Sequence, residues 1–389
     1  MKLSQLLTEN SQQMEGSLVR ELLHYSQQPD ILSFAGGLPD EAYMPAFPDM
    51  ADVADSRQYG PSEGEMALRE QVVVTVAERG VQASIDQTLI TNGSQQGLDI
   101  VSRLILDSDS MILTEQPTYL AAIQVFKLQG AKIQDVASDG EGMSVSVMRE
   151  LIDKHQPKAV YLIPNFQNPA GHCYSLKRRQ EIAALLDEKD VLLLEDDPYR
   201  DLCFEEVDRT PISSLLKTAP WIYMGSYSKV LWPGLRTGYL VSCTEIAPYL
   251  VKLKQATDLH TNRLGQNLIA SYLATGAFPA HLLKLQTVYK AKRDTMMLAL
   301  DKYLGDLVQF EKPAGGMFVW LTLPEGVSSK KVLADALEQK VLILPGMPFY
   351  PNNSEQYDSN IRLSFARVPE SKLDQSIALL ADVIKAQLK

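Results

Sequence analysis

Cysteine is scarce in this chain of 389 residues, which has three: Cys173, Cys203 and Cys243. No Cys-x-x-Cys pair and no Cys/His ligand spacing accompanies them, which argues against a zinc site. Scattered in this way, they read as small buried hydrophobes of a protein in a reducing compartment. Positive charge is also short, since 37 Lys and Arg face 48 Asp and Glu for a formal net charge of -11. That disfavours a nucleic-acid partner, because phosphate-tracking surfaces need clustered cations. A few arginines in a pocket can still hold a small anion against the global field. No apolar run approaches the ~18 residues of a membrane span. The N-terminal stretch MKLSQLLTENSQQMEGS has neither an apolar h-region nor a small-residue cleavage site, so a cytoplasmic protein is expected. No Gly-x-Gly-x-x-Gly follows an early strand and no Walker motif occurs, which sets a nicotinamide-dependent Rossmann enzyme aside.

What is present is ordinary globular material, 45% hydrophobic and 22% charged, with no repeat, low-complexity tract or Gly/Ser linker. Short apolar runs alternate with helical patterns after residue 60. The runs are TLIT (88–91), MILTE (111–115), KIQDV (132–136), AVYLIP (159–164), VLLLED (191–196), WIYMGS (221–226) and GYLVS (238–242). Runs this short and this continuous suit a mostly parallel sheet covered on both faces, with the intervening helices as crossovers. A first helix is expected from Glu63 to Glu78, and two long ones at 246–274 and 279–304. The C-terminal part follows a different pattern. There LVQFEKP, GMFVWLTLP, VLILPG and NIRLSFARV read as strands, with helices only at 328–338 and 370–387. The expected organisation is therefore an α/β domain over 46–285 and a smaller α+β domain over 286–389, joined by the N-terminal segment 1–45.

Four segments carry chemistry. In GSYSKVLWPGLRTGYL, Lys229 follows a strand, with hydroxyls at Ser226 and Ser228 and a cation at Arg236. Serines and a guanidinium fork suit a phosphate ester, and an amine beside them suits covalent use. Taken alone, Lys229 would be a surface lysine. In LEDDPYRD, Asp196 and Asp197 end an apolar strand. One of them fits a solvated turn, and the other fits a carboxylate that keeps a ring nitrogen protonated. In PNFQNPAG, an Asn-Pro turn after a strand is common punctuation, yet Asn168 is also placed to donate to a phenolate-like oxygen. TNGSQQG opens a helix whose N-terminal N–H groups can seat a phosphate. All four lie at the carboxyl ends of the strands, where open α/β sheets bind ligands.

In this order the segments resemble fold-type-I pyridoxal-phosphate-dependent aminotransferases, and within them the 2-aminoadipate, kynurenine and related broad-specificity subgroup. The resemblance covers essentially the whole chain, from SFAGGLPD to NIRLSFARV. It implies an α/β large domain with a mostly parallel central sheet, a smaller α+β domain, and pyridoxal 5'-phosphate as cofactor. Lys229 would carry that cofactor as a Schiff base and move the substrate's Cα proton. Asp196 would meet the pyridinium, Tyr119 would stack on the ring, and Asn168 and Tyr199 would hold its hydroxyl oxygen. Ser94, Gln95, Ser226, Ser228 and Arg236 would hold the phosphate. Tyr59, in QYGPSEG, would reach the phosphate of a neighbouring subunit, which implies a homodimer with shared sites. Arg362 would clamp the substrate α-carboxylate and Gly37 would line the substrate pocket. Trp232 and the GHCY segment (171–174) depart from the pattern without replacing a motif position. The implied reaction takes an amino group from an aminoadipate-like, aromatic or branched donor to a keto acid such as 2-oxoglutarate. Arg20 is a candidate for a distal carboxylate and equally reads as part of a solvated helix face. A β-lyase or decarboxylase shares these parts. A transcription regulator with a winged-helix region is disfavoured by the early start of SFAGG and by the net acidity.

Overall fold

The computed structural model describes residues 6–12, 16, 18–26, 28, 30–48, 56–351 and 355–388. In chain order, α1 (Glu9–Gln12), α2 (Leu18–Ser26), β1 (Leu32–Ser33) and α3 (Met66–Glu78) come first. Strands and helices then alternate: β2 (Thr88–Thr91), α4 (Gly93–Ile105), β3 (Met111–Gln116), α5 (Leu120–Leu128), β4 (Lys132–Asp139), β5 (Gly142–Met143), α6 (Val145–His155), β6 (Ala159–Leu162), α7 (Leu176–Lys189), β7 (Leu192–Asp196), β8 (Trp221–Ser226) and β9 (Gly238–Ser242). Three helices follow, α8 (Ala247–Asp258), α9 (Arg263–Ala274) and α10 (Phe278–Leu304). The last part holds β10 (Gln309–Phe310), β11 (Phe318–Thr322), α11 (Ser329–Glu338), β12 (Val341–Leu342), β13 (Leu344–Pro345), β14 (Asn360–Ser364) and α12 (Glu370–Ala386).

β2 to β9 form one sheet in the order β2-β9-β8-β7-β6-β3-β4-β5. β8, β7, β6, β3 and β4 pair in parallel, while β9 runs antiparallel to both of its neighbours. β2 therefore points the same way as the parallel set, and its carboxyl end lies at the same edge as theirs. Successive residues face opposite sides. Tyr161 and Leu194 enter a core shared with Leu98 and Val101 of α4 and Phe126 of α5. Val160, Leu162 and Leu193 enter a second core with Met148 and Ile152 of α6 and Ile182 and Leu186 of α7. Apolar side chains on both faces explain why these runs are unbroken rather than alternating.

The C-terminal strands make an antiparallel sheet in the order β10-β11-β14-β13. β1 pairs in parallel with β12, which stitches the N-terminal segment to this smaller unit. Helix α10 bridges the units: Lys292 donates to Asp40 and to the Ala366 carbonyl, and Arg293 to Glu205 and the Pro313 carbonyl.

Two expectations are corrected. The helical pattern at 246–274 is two helices, broken at Leu259, whose φ of 69° lies in the left-handed region. Asn262 restarts the helix by accepting the Gly265 N–H, a side-chain cap that the apolar periodicity conceals. VLILPG is likewise two short strands, β12 and β13, which belong to different sheets. The three cysteines are free thiols, as expected, but half-buried rather than buried.

Candidate active site

The carboxyl edge of the large sheet gathers the four chemical segments, and the antiparallel β9 explains how. β8 leaves the edge at Ser226, the loop 227–237 carries Lys229, and β9 returns at Gly238, in register with both Ser226 and Thr91. Ser226, Ser228, Lys229 and Arg236 are thus held next to the first turn of α4. A Cβ on Gly238 would lie 2.8 Å from the Gly93 carbonyl carbon and from Ser94 N, so only glycine lets the two backbones approach. Gly93 has φ 75°, and a Cβ there would meet the Arg236 guanidinium at 2.6 Å.

The Arg236 Nη1 donates to the Ser228 Oγ at 3.2 Å, and the Ser226 Oγ accepts the Ser228 N–H at 3.1 Å. Ser94 and Gln95 lie in the first turn of α4, where N–H groups have no helical acceptor. Hydroxyls, a guanidinium and a helix N-terminus together make a phosphate-sized anion seat. Arg236 is exposed on this chain.

Lys229 donates from Nζ to the Gly37 carbonyl at 2.9 Å, and its Nζ lies 5.8 Å from the Tyr199 ring centre. Burial, with Arg362 and Arg236 adding to it, pulls its amine down to about 8. A lysine in that range is a usable nucleophile and base near neutral pH. Asp196, at the end of β7, is buried with only 1% of its surface exposed. Its Oδ2 accepts from the Tyr161 hydroxyl at 2.9 Å, while Oδ1 has no donor among the described residues. Burial raises its carboxyl to about 7, with Tyr161 and Lys229 working against that rise and Asp197 and Glu115 adding to it.

Arg362 comes from the other unit, on β14 between Trp320 and Leu344. Its Nη1 donates to Asn168 Oδ1 at 2.7 Å and its Nη2 to the Ala35 carbonyl at 2.5 Å, and its Nε is buried without a partner among the described residues. The guanidinium lies over the Phe318 ring at 4.3 Å, and burial lowers its pKa to about 10. Asn168 Nδ2 donates to the Tyr199 hydroxyl at 3.1 Å, and the Tyr119 hydroxyl to Gln95 Oε1 at 3.4 Å. A Cβ on Gly37 would approach Phe318 to 2.9 Å, so the N-terminal strap also lies close over the site.

The structure brings together Ser94, Gln95, Tyr119, Asn168, Asp196, Tyr199, Ser226, Ser228, Lys229, Arg236, Arg362 and Gly37. Tyr59 stands apart, 76% exposed, with its ring 5.8 Å from His260 of the same chain. Arg20 lies on α2, and its side chain is outside the described residues. Asp197 is no solvated turn residue: it is buried and accepts from Asn165 and from Tyr223. Trp232 donates to the Pro45 carbonyl and packs on Phe47 and Tyr272. Of the GHCY segment, Tyr174 donates to the buried Glu115, which also accepts the Ile163 N–H and so ties the end of β3 to the connection between β6 and α7. Two residues with polar work here, Tyr161 in AVYLIP and Glu115 in MILTE, carry no mark in the sequence beyond strand filler. Only their face of the sheet could have flagged them.

The orphaned Asp196 oxygen, the orphaned Arg362 N–H and the glycine-walled anion seat surround Lys229 at three corners. They fit a phosphorylated pyridine aldehyde together with a substrate carboxylate.

A family profile for aminotransferase class I and II matches residues 30–380. The 2-aminoadipate transaminase of Thermus thermophilus is 37% identical, with 96% of this chain and 95% of that protein covered. A crystal structure of alpha-aminoadipate aminotransferase from the same organism, complexed with N-(5'-phosphopyridoxyl)-L-leucine, superimposes with a TM-score of 0.90 at 35% identity, covering 100% and 99% of the two chains. The Pyrococcus horikoshii kynurenine aminotransferase gives a TM-score of 0.93 at 36% identity, with 100% and 99% covered.

Proposed function

Because this chain belongs to the class I and II aminotransferases and takes pyridoxal phosphate as cofactor, we propose that it passes the amino group of an aminoadipate-like, aromatic or branched L-amino acid to 2-oxoglutarate. The observation that carries the reading is the Lys229 amine near both Asp196, whose buried Oδ1 has no donor among the described residues, and Arg362, whose buried Nε has no partner there. The relatives named for aminoadipate, kynurenine and a leucine adduct support donors of those three kinds. They do not favour a lyase or decarboxylase.

When bound, the cofactor supplies an aldehyde that takes up the amino group and a ring that withdraws electrons from Cα. The residues of the chain do the rest. Arg362, aimed by Asn168 and the Ala35 carbonyl, holds the substrate carboxylate in a planar fork. That would place Cα near Lys229, whose lowered amine would take and hold the Cα proton at Nζ. Asp196, through the oxygen that has no donor among the described residues, would keep the cofactor's ring nitrogen protonated, and Tyr119 would cover the ring. Arg236, Ser226, Ser228 and the first turn of α4 would hold the cofactor's phosphate.

Tyr59 and Arg236 are exposed on one chain, which supports a homodimer in which Tyr59 completes the partner's phosphate seat. The three free thiols suit a cytoplasmic enzyme.

The test is the absorbance of the cofactor-loaded protein as single amino acids are added without keto acid. Loss of the yellow band to a pyridoxamine-like band is expected, fastest for the true donor class, and Lys229→Ala should abolish turnover. Release of carbon dioxide or pyruvate would overturn the reading. Arg20, a candidate for a distal carboxylate and equally for a solvated helix face, is decided by substitution. Arg20→Ala should lower the rate for aminoadipate relative to phenylalanine, and an unchanged ratio would remove it from the site.

A further inference from the structure

Tyr161 lies mid-sheet on β6, in register with Leu194 of β7 and Thr114 of β3. Its side chain points to the same face as Leu194, and therefore as Asp196 two residues further along β7. The hydroxyl reaches diagonally across to Asp196 Oδ2 at 2.9 Å. The ring has no exposed surface and is packed edge-on against Phe126 of α5, with centroids 5.5 Å apart. Burial and the neighbouring Asp196 push its phenol well above the ordinary value, so it stays a neutral donor. The groups that bear on Asp196 are Tyr161, Asp197, Lys229 and Glu115. Of the two carboxylate oxygens, one is bonded and the other is buried with nothing facing it among the described residues.

This asymmetry carries a role. A carboxylate at the end of a strand can rotate about its last bond and present either oxygen, or an edge between them. A phenol fixed by its own packing selects one rotamer and occupies one oxygen. We propose that Tyr161 is a positioning residue of the reaction, pinning Asp196 through Oδ2 so that Oδ1 alone faces the cofactor's ring nitrogen. The inference rests on the functional reading above, since it needs a pyridinium opposite Asp196. Tyr161 touches neither substrate nor cofactor and acts only through the carboxylate. Its donated hydrogen bond also favours the charged form of Asp196, which is the form that keeps the ring nitrogen protonated.

The experiment compares two ligands on the cofactor-free protein by fluorescence titration: pyridoxal phosphate, and its carbocyclic analogue in which C–H replaces the ring nitrogen. The ratio of the two dissociation constants reads the Asp196 contact alone. Tyr161→Phe keeps the ring and its packing and removes only the hydroxyl. It is expected to weaken pyridoxal phosphate by about tenfold or more while leaving the analogue bound as in wild type. In an Asp196→Asn background the same change should leave the ratio unaltered. Equal weakening of both ligands would mean that Tyr161 only fills space, and an unchanged ratio would mean that Asp196 needs no pin. Either result overturns the proposal. If the phenylalanine variant does not fold, Tyr161→Met, which keeps a large apolar side chain and also removes the donor, decides: a fallen preference for pyridoxal phosphate in folded protein sustains the proposal and a ratio near wild type ends it. A wild-type protein that takes up no pyridoxal phosphate would remove the functional reading, and this inference with it. A wild type that binds the cofactor but shows no Tyr161 effect removes this inference alone.

Discussion

The motif residues Lys229, Asp196 and Asn168 are legible in the sequence because their neighbours are: a serine pair, a carboxylate pair and an Asn-Pro turn; Arg362 is reached only through the family resemblance. What cannot be read there is how each is biased by burial. Asp196 has its carboxyl raised from 3.8 to about 7, chiefly because it is out of water. In the cofactor-free protein the folded state therefore holds this proton over pH 4 to 7 while the unfolded chain has lost it. The stability it contributes is full at low pH and is lost as pH rises through that window, since the native state binds more protons there. Asp196→Asn removes the titration. Cofactor-free Asp196→Asn should gain on wild type between pH 5 and pH 8 by roughly 2–3 kcal/mol, read from denaturant unfolding at both values. The same variant should bind pyridoxal phosphate more weakly. A parallel pH dependence in the two proteins would show that Asp196 is not the group concerned. Tyr161 is hidden because a tyrosine inside an apolar run signals packing, and only its face and register reveal a hydroxyl aimed at a carboxylate.

At the scale of elements, the seven apolar runs end within three residues of the observed strands, since a strand buried on both faces writes itself as an unbroken Val/Ile/Leu block. The reversed direction of β9 is not legible, because periodicity carries no direction. That reversal is what sets Arg236 beside α4. It also makes Gly238 the tightest point of the phosphate seat, where a side chain would meet the backbone of Gly93 and Ser94. Gly238→Ala should push α4 away from β9, weakening pyridoxal phosphate binding by about tenfold and lowering stability by about 1–3 kcal/mol. An equilibrium titration with a parallel melt reads both effects, and unchanged cofactor affinity would show that the seat tolerates the displacement. The break at Leu259 escapes for a related reason: its left-handed backbone and the Asn262 cap are local geometry inside a sequence that remains helical in period.

At the scale of the whole molecule, the site is assembled from chain ends. Arg362 meets Asn168 across 194 residues and Ala35 across 327, and Lys229 reaches Gly37 across 192. The pairing of β1 with β12 and the Lys292–Asp40 contact of α10 hold the N-terminal segment in place for the contacts to Gly37 and Ala35. The proposed dimer adds one more level. Tyr59→Phe should leave the mass in light scattering at that of a dimer and raise the dissociation constant for pyridoxal phosphate severalfold, the size expected of one hydrogen bond to a phosphate. A monomeric wild type, or an unchanged constant, would return Tyr59 to being a surface tyrosine. The amino-acid sequence by itself determined the class of fold, because that depends on residue type and on spacing along single strand–turn–helix units, and its resemblance to the aminotransferases implied the cofactor. The tertiary structure alone decided that Asp196 and Asp197 are both buried, which oxygen of Asp196 lacks a donor among the described residues, and that the Arg362 Nε lacks a partner there. Those are properties of packing between segments far apart in the chain, and local spacing holds no record of them.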